Sequence, residues 1–158
     1  MNTTHAENSR ILTQGFVTNP ITMVPYWQIC VKGPIEDLDR IFDQIIKIDP
    51  LIYGKTDRNA FISAQGYEYY RPLEGTPTGA ENDTRKRPGV MQMDITIEPN
   101  EDILRQILEA VYTYHSYYEA PISITPILRS KTNGLDDSDN PYRWWNNQGD
   151  WKTNQQNT

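Results

Sequence analysis

Two stretches of the chain alternate apolar and polar residues, and this pattern predicts β-strands. In the first, Trp27, Ile29 and Val31 alternate with polar neighbours, so we expect a strand over residues 24–32. In the second, every other residue between 90 and 98 is apolar, which predicts another half-buried strand. The two strands anchor the assignment of the elements around them.

Each of these strands is followed by residues with helical spacing. The first helix opens at Gly33-Pro34, with Pro34 at its first position, and ends before Asp49. The second begins at Asn100, a good N-cap, and ends near His115. The apolar positions recur every three or four residues and form one face of each helix. They are Ile35, Leu38, Ile41, Phe42, Ile45 and Ile46 in the first, and Ile103, Leu104, Ile107, Leu108 and Val111 in the second.

Shorter apolar runs complete the pattern. Residues 51–53 and 60–64 are predicted to be two halves of one strand, and residues 122–127 a final strand. Pro126 within that strand predicts an edge position or a bulge. The order of elements is then β-α-β-β-α-β, the split-βαβ or ferredoxin-like arrangement. We therefore expect an α+β fold in which two helices cover one face of a four-stranded antiparallel sheet.

The segment before the strand at 90–98 is rich in glycine and proline, and we expect it to be a loop over residues 66–89. Compact domains seldom keep so long a connection without a use for it, so it is our candidate ligand-binding loop. Arg71 is suited either to meet an anion or to form a salt bridge with Glu74 or Glu119. The candidate ligand-binding residues are Gly66, Tyr70, Arg71, Pro72, Gly75 and Gly79.

Composition divides the chain into an expected flexible arm at 1–22, a globular domain at 23–129 and a polar tail at 130–158. The net charge of -6 argues against nucleic acid as the main partner. A single cysteine, Cys30, excludes an intrachain disulfide and fits a reducing compartment. Because no transmembrane-length apolar run or signal-peptide core is present, we expect a cytoplasmic protein without membrane association.

Two of these stretches carry a family resemblance. The run GYEYYRPLEGTPTG at 66–79 resembles the G-x-G-x-F-R-P-x-x-G-x-x-P-x-x-G motif of the NGG-interacting factor three-like family. The run HSYYEAP at 115–121 resembles that family's H-P-Y-E-E-P-A. Both motifs belong to a PII/CutA-like domain inserted between the family's metal-binding lobes, and the divalent-cation tolerance protein CutA has a similar second motif. The resemblance covers residues 24–129 and implies a PII/CutA-like domain that forms homotrimers.

The sequence also departs from the family. Glu68, Tyr70 and Ser116 stand where the motifs have Gly, Phe and Pro, and the lobes that hold the family's metal ligands have no counterpart here. The resemblance therefore implies a non-enzymatic module that binds a small ligand or a metal ion and regulates a partner. A hydrolase activity is not implied, and CutA-style binding of divalent metal is the alternative.

His115 and Glu119 are the candidate metal ligands. They are four residues apart, which on a helix would place both on one face. The competing interpretation is structural, with His115 capping carbonyls at the helix end and Glu119 accepting backbone amides. The sequence predicts no cofactor with certainty, and a divalent metal ion is the one cofactor that the spacing of His115 and Glu119 allows.

The polar tail contains three of the four tryptophans, Trp144, Trp145 and Trp151. Large aromatic side chains are poor filler for a solvated linker, whereas they are common anchors at protein interfaces. The tail is therefore predicted either to dock on a groove, on the protein's own oligomer or on another protein, or to be disordered. Docking on another protein would make the chain an adaptor.

Overall fold

The strands of the chain form one antiparallel sheet. The computed structural model describes residues 10–146 of the 158-residue chain. Its strands, in chain order, are β1 (Phe16–Val17), β2 (Ile21–Pro34), β3 (Phe61–Ile62), β4 (Gly66–Tyr70), β5 (Arg85–Ile97) and β6 (Ile122–Thr132).

The six strands occupy four positions across the sheet. β2 pairs along one edge with β6, and along its other edge with β1 and then β5, which lie end to end. The outer edge of β5 pairs in the same way with β4 and then β3. The order across the sheet is therefore β6, β2, β1 with β5, and β3 with β4. This topology confirms the predicted α+β, ferredoxin-like fold.

Two helices connect the strands, α1 (Ile35–Ile48) and α2 (Glu101–Tyr114). Pro34 is the N-cap of α1 and the last residue of β2, so the helix begins one residue later than predicted. Asn100 caps α2 as predicted, because its side chain accepts a hydrogen bond from the Ile103 N–H at 3.1 Å. In the described part of the chain, no helix is both long and apolar enough to cross a membrane.

Both helices pack on the same face of the sheet. Their predicted apolar faces meet the alternate apolar residues of β2 and β5, which is what the period-two and helical patterns require. The fully buried core consists of Ile29, Val31, Leu38, Ile41, Ile45, Leu51, Met93, Ile95, Ile97, Ile107 and Val111.

Residues 66–70 form a strand, and the prediction of a loop over 66–89 is wrong there. β4 pairs with the first half of β5, so the two form a hairpin whose connection is only residues 71–84. The aromatic residues of β4 have high strand propensity and alternate between the two faces of the hairpin. The nearby glycines and prolines, which favoured a loop, lie mostly in the connection itself.

Residues 51–53 do not form the predicted strand. Leu51 has a left-handed φ of 52°, and its side chain is buried in the core. Asp49 Oδ1 accepts a hydrogen bond from the Leu51 N–H at 2.7 Å, and Asn59 Nδ2 donates to the Leu51 carbonyl at 2.9 Å. The apolar run is therefore a tight turn that places one residue in the core. Of the strand predicted at 60–64, only the two residues of β3 form a strand.

The described part of the predicted N-terminal arm at 1–22 has regular structure. Residues 10–14 are helical, and β1 pairs with the beginning of β2. Gly15 allows this approach because its φ is 84° and a Cβ there would overlap the carbonyl oxygen of Met23. Residues 1–9 lie outside the described residues.

β6 is an edge strand, as Pro126 predicts. It pairs with β2 over its whole length, and within the described residues no strand pairs with its outer edge. It also continues to Thr132, beyond the predicted start of the tail at residue 130. The tail that follows therefore leaves from the end of a paired strand.

Candidate functional site

The six predicted loop residues are spread along the hairpin. Gly66 and Tyr70 are the two ends of β4, and the other four lie in the connection 71–84. Gly75 and Gly79 have φ values of 89° and 82°, with no atom within 4 Å of the position of a Cβ. These two glycines therefore shape turns in an open connection.

Arg71 does not form the salt bridge expected with Glu74 or Glu119. Its Nη1 donates to the backbone carbonyl of Glu81 at 3.3 Å, and the Glu81 N–H donates to the Pro72 carbonyl at 3.1 Å. Arg71 thus ties the two sides of the connection together through backbone atoms.

His115 is buried at the end of α2, with both ring nitrogens engaged. Nε2 lies 2.7 Å from the Lys32 carbonyl oxygen, and Nδ1 accepts a hydrogen bond from the Tyr117 N–H at 3.0 Å. A carbonyl can only accept, so Nε2 carries a proton, and Nδ1 also lies 3.5 Å from Asp37 Oδ2. The ring approaches β2 closely, because a Cβ on Gly33 would lie 2.9 Å from Nε2. His115 thus joins α2 to β2 as a structural residue.

Asp37 completes this junction from α1. Its Oδ2 accepts hydrogen bonds from the Ser116 N–H at 2.9 Å and the Ser116 hydroxyl at 2.5 Å, and its Oδ1 pairs with Arg40 at 2.5 Å. Burial raises the pKa of Asp37, but the bonds from Ser116 and Arg40 outweigh it, so the pKa lies below that of a free aspartate. Arg40 also donates to the Tyr114 carbonyl at the end of α2.

These residues bring a serine, a histidine and an acid together without forming a catalytic triad. The Ser116 hydroxyl is bonded to Asp37, whereas a nucleophile would have to face a basic nitrogen of His115. The acceptor nitrogen of the ring, Nδ1, already accepts the Tyr117 N–H, and Nε2 carries a proton that it donates to the Lys32 carbonyl. The arrangement fits the structural alternative for His115 rather than nucleophilic chemistry.

The predicted metal ligands do not form a ready-made metal site. The hydrogen bonds of His115 leave neither ring nitrogen free, and Glu119 is exposed. Across residues 10–146, no group of three or more His, Cys, Asp or Glu side chains is arranged to hold a metal ion. Metal binding by this pair therefore stays a prediction that requires the histidine to give up a hydrogen bond.

A cluster that the sequence did not reveal lies at the base of the hairpin. The guanidinium of Arg87 lies 4.5 Å from the ring centre of Tyr70 and 4.3 Å from that of Tyr117. Its Nη2 donates to the Tyr70 hydroxyl at 2.8 Å, and its Nη1 lies 3.3 Å from Glu68 Oε1. We call Arg87, Tyr70, Tyr117 and Glu68 the Arg87 clamp. It joins the hairpin to the segment that follows α2.

The two hydroxyls of the clamp differ in environment. The Tyr117 hydroxyl is buried close to Arg87 and Glu68, but it makes no well-formed hydrogen bond among the described residues. Burial raises the pKa of Tyr117, whereas the nearby guanidinium of Arg85, together with that of Arg87, lowers the pKa of Tyr70. An unpaired buried hydroxyl beside a guanidinium is a group with unused capacity to bind a polar ligand.

The described tryptophans of the tail are largely exposed. Trp144 and Trp145 are 59% and 63% exposed, in a short 3₁₀ helix (Trp144–Asn146). This turn is closed locally, because Asn146 Nδ2 donates to the Asp137 carbonyl at 2.8 Å. Trp151 lies outside the described residues, so its predicted docking role stays a prediction.

A cavity lined by described residues lies elsewhere, at the opposite end of the sheet. It has a volume of about 760 Å³, and its lining includes Tyr26, Tyr53, Ile52 and Lys131. Lys131 pairs with the exposed Glu98 at 3.2 Å across its rim. None of the predicted site residues contributes to its wall.

No family model and no curated protein matches the sequence. Among solved structures, the chain is similar to a Bacillus cereus protein related to NIF3, with a TM-score of 0.55 and 17% identity over 79% of this chain and 32% of that one. The present chain thus spans about a third of that protein's length. At this level of identity, the similarity shows a shared fold.

Two further structures are similar to a lower degree. The periplasmic divalent cation tolerance protein CutA from Archaeoglobus fulgidus is 16% identical, with a TM-score of 0.45 over 65% of this chain and 83% of that one. GlnK from Bacillus subtilis is 10% identical, with a TM-score of 0.43 over 65% of this chain and 85% of that one.

Proposed function

We propose that the chain is a non-enzymatic, homotrimeric PII/CutA-like module of the cytoplasm that binds a small ligand at the base of its β4–β5 hairpin and passes that state to a partner. The proposal extends the fold shared with part of the NIF3-related protein to the assembly and the role that the two sequence motifs imply. The observation that carries it is the Arg87 clamp, in which the guanidinium of Arg87 links the hairpin to the ring of Tyr117 after α2.

Surface composition supports assembly into an oligomer. The helices cover one sheet face, whereas Gln28, Cys30 and Asp94 on the other face remain partly exposed. On the hairpin, Tyr67 and Tyr69 are 55% and 63% exposed and form an edge-to-face pair at 5.4 Å. Exposed aromatic side chains next to a half-covered sheet are typical of a surface that meets another subunit.

The hairpin supports a role in ligand-dependent switching. Its connection 71–84 is held by hydrogen bonds within itself, such as Arg71 to the Glu81 carbonyl, and there is open space around Gly75 and Gly79. We expect the connection to rearrange when these local bonds break. Its base is held by the Arg87 clamp, so a ligand that binds or releases the clamp would change the order of the connection. Metal binding by His115 and Glu119 is not needed for this mechanism.

The test is a thermal-shift screen of the full chain with nucleotides, bicarbonate and divalent metals, followed by hydrogen exchange with each ligand that raises the melting temperature. We expect at least one ligand to stabilise the protein and to slow amide exchange in residues 66–90. Stabilisation with unchanged exchange in the hairpin would place the ligand elsewhere and contradict the proposal.

The exposed Trp144 and Trp145 support a second candidate, an adaptor that captures a protein through its tail. Because β6 ends at Thr132 and Asn133 bonds to the turn between β1 and β2, a deletion of residues 134–158 leaves the sheet and this turn complete. Loss of partner capture in this variant, with the melting temperature unchanged, would support the adaptor. Capture that survives the deletion would eliminate it.

A further inference from the structure

Glu68 holds Arg87 only loosely. The distance of 3.3 Å between Glu68 Oε1 and Arg87 Nη1 is longer than the roughly 2.7–2.9 Å of a strong charge-assisted hydrogen bond. Both side chains are about one-third exposed or less, so the pair is only partly screened by water. A carboxylate is therefore already present at the guanidinium, but in a weak arrangement.

The clamp also has polar capacity that Glu68 does not use. Arg87 donates from Nη1 to Glu68 and from Nη2 to Tyr70, while a guanidinium has five N–H groups. The Tyr117 hydroxyl is buried near Arg87 and Glu68 without a well-formed hydrogen bond among residues 10–146, and the Tyr70 hydroxyl accepts from Nη2, which leaves its own proton to be donated. Both hydroxyls thus belong to rings that lie against the same guanidinium.

We propose that the Arg87 clamp binds a carboxylate group of a small ligand, with Glu68 as the internal group that the ligand displaces. The ligand's oxygens would accept from Arg87 and from the hydroxyls of Tyr70 and Tyr117, so that the buried hydroxyl gains a partner. This inference rests on the proposed function, because it names the chemical class of ligand that the hairpin recognises.

A planar carboxylate fits this place better than a phosphate. Glu68 already presents a carboxylate to the same nitrogen, so a ligand carboxylate can occupy equivalent positions. The other charges of the hairpin add no net positive charge that would favour a dianion. The basic and acidic side chains are equal in number: Arg71, Arg85 and Lys86 against Glu74, Glu81 and Asp83. Arg85 is already engaged by Glu81.

The test is an NMR titration of the full chain with sodium acetate, following the side-chain N–H resonance of Arg87 at an ionic strength held constant with sodium chloride. Glu68→Gln removes the competing charge, and we expect it to tighten acetate binding at least about fivefold, as loss of one charge-assisted contact permits. Glu81→Gln is the matched control, since it removes the same charge from another arginine of the hairpin. We expect it to change the affinity by less than about twofold.

A second variant separates binding from folding. Tyr117→Phe keeps the ring that packs on Arg87 but removes the buried hydroxyl, so we expect acetate binding to weaken about threefold with no loss of melting temperature. Equal acetate affinity in Glu68→Gln and Glu81→Gln, or unchanged affinity in Tyr117→Phe, would overturn the proposal. Tighter binding of inorganic phosphate than of acetate would also overturn it. If acetate fails while another ligand still slows exchange in the hairpin, only the carboxylate assignment is lost and the proposed function stands.

Discussion

The Nε2 atom of His115 lies 2.7 Å from the carbonyl oxygen of Lys32, which fastens the end of α2 to the central strand β2. The two residues are 83 positions apart in the sequence, so this bond joins the distant elements β2 and α2. The same ring packs edge to face on Tyr117, whose own ring lies against Arg87 of the hairpin. His115 therefore helps to position Tyr117 of the Arg87 clamp.

His115→Ala should destabilise the protein by about 2–4 kcal/mol, because it leaves the Lys32 carbonyl and the Tyr117 N–H without partners and opens a cavity. Urea unfolding measures the change. Tyr112→Ala, an exposed position on α2, is the control and should cost less than about 0.5 kcal/mol. Equal effects of the two variants would mean that the junction does not stabilise the fold.

Gly33→Ala should also be destabilising, by about 1–3 kcal/mol, because the added Cβ would lie 2.9 Å from the buried ring of His115. Gly66→Ala is the matched control: a Cβ there meets only the Val90 carbonyl oxygen, at an ordinary 3.7 Å. We expect melting temperatures to fall for the first variant and to stay nearly constant for the second. The reverse order would contradict the close approach of ring and strand.

Asp37 should make stability depend on acid pH. Its folded pKa lies below the unfolded value of about 3.9, so its ionised form stabilises the folded state. That contribution is complete above the unfolded pKa and is lost as the pH falls through the folded pKa. Asp37→Asn should therefore cost about 1–3 kcal/mol at pH 7, and the difference from the wild type should shrink below pH 4.

Asp43→Asn is the control for Asp37, since it removes the same charge from an exposed position of α1. Urea unfolding from pH 3 to pH 7 gives the free energy of unfolding of all three proteins. A difference in the free energy of unfolding between wild type and Asp37→Asn that stays constant across this range would show that the ionised carboxylate is not the stabilising form.

The regular parts of the fold follow from sequence periodicity, because burial of one face dictates which positions are apolar. The core residues Ile29, Val31, Met93 and Ile95 lie where alternation predicts them, and Asn100 caps α2 as its side chain predicts. The short apolar run that includes Leu51 is ambiguous by periodicity, and a local hydrogen bond from the Leu51 N–H to Asp49 holds it in a turn instead of a strand.

The site is less predictable than the fold because it depends on pairing between distant residues. Tyr70 was a candidate from its motif, but its partner Arg87 lies 17 positions away in the sequence, on the other strand of the hairpin. Only the strand register brings Glu68 opposite Arg87, and the glycine-rich run obscured that strand. Alternation of Glu68 and Tyr70 opposite Arg85 and Arg87 was the available signal.

The exposed tyrosines of the hairpin should contribute to subunit contact. The double variant Tyr67→Ser with Tyr69→Ser should weaken the oligomer by about 2 kcal/mol or more, as expected for aromatic residues buried at an interface. Tyr112→Ser is the control, because Tyr112 is 71% exposed but lies on the helical layer. Sedimentation across a dilution series measures both, and equal dissociation of the two proteins would exclude the hairpin from the interface.

The mass of the full chain in solution, measured by light scattering at micromolar concentration, tests the proposed module most directly. We predict a species close to three times the 18.4 kDa of one chain. A protein that elutes at 18.4 kDa at every concentration would contradict the trimeric module and leave the uncovered sheet face and the hairpin tyrosines without the role assigned to them.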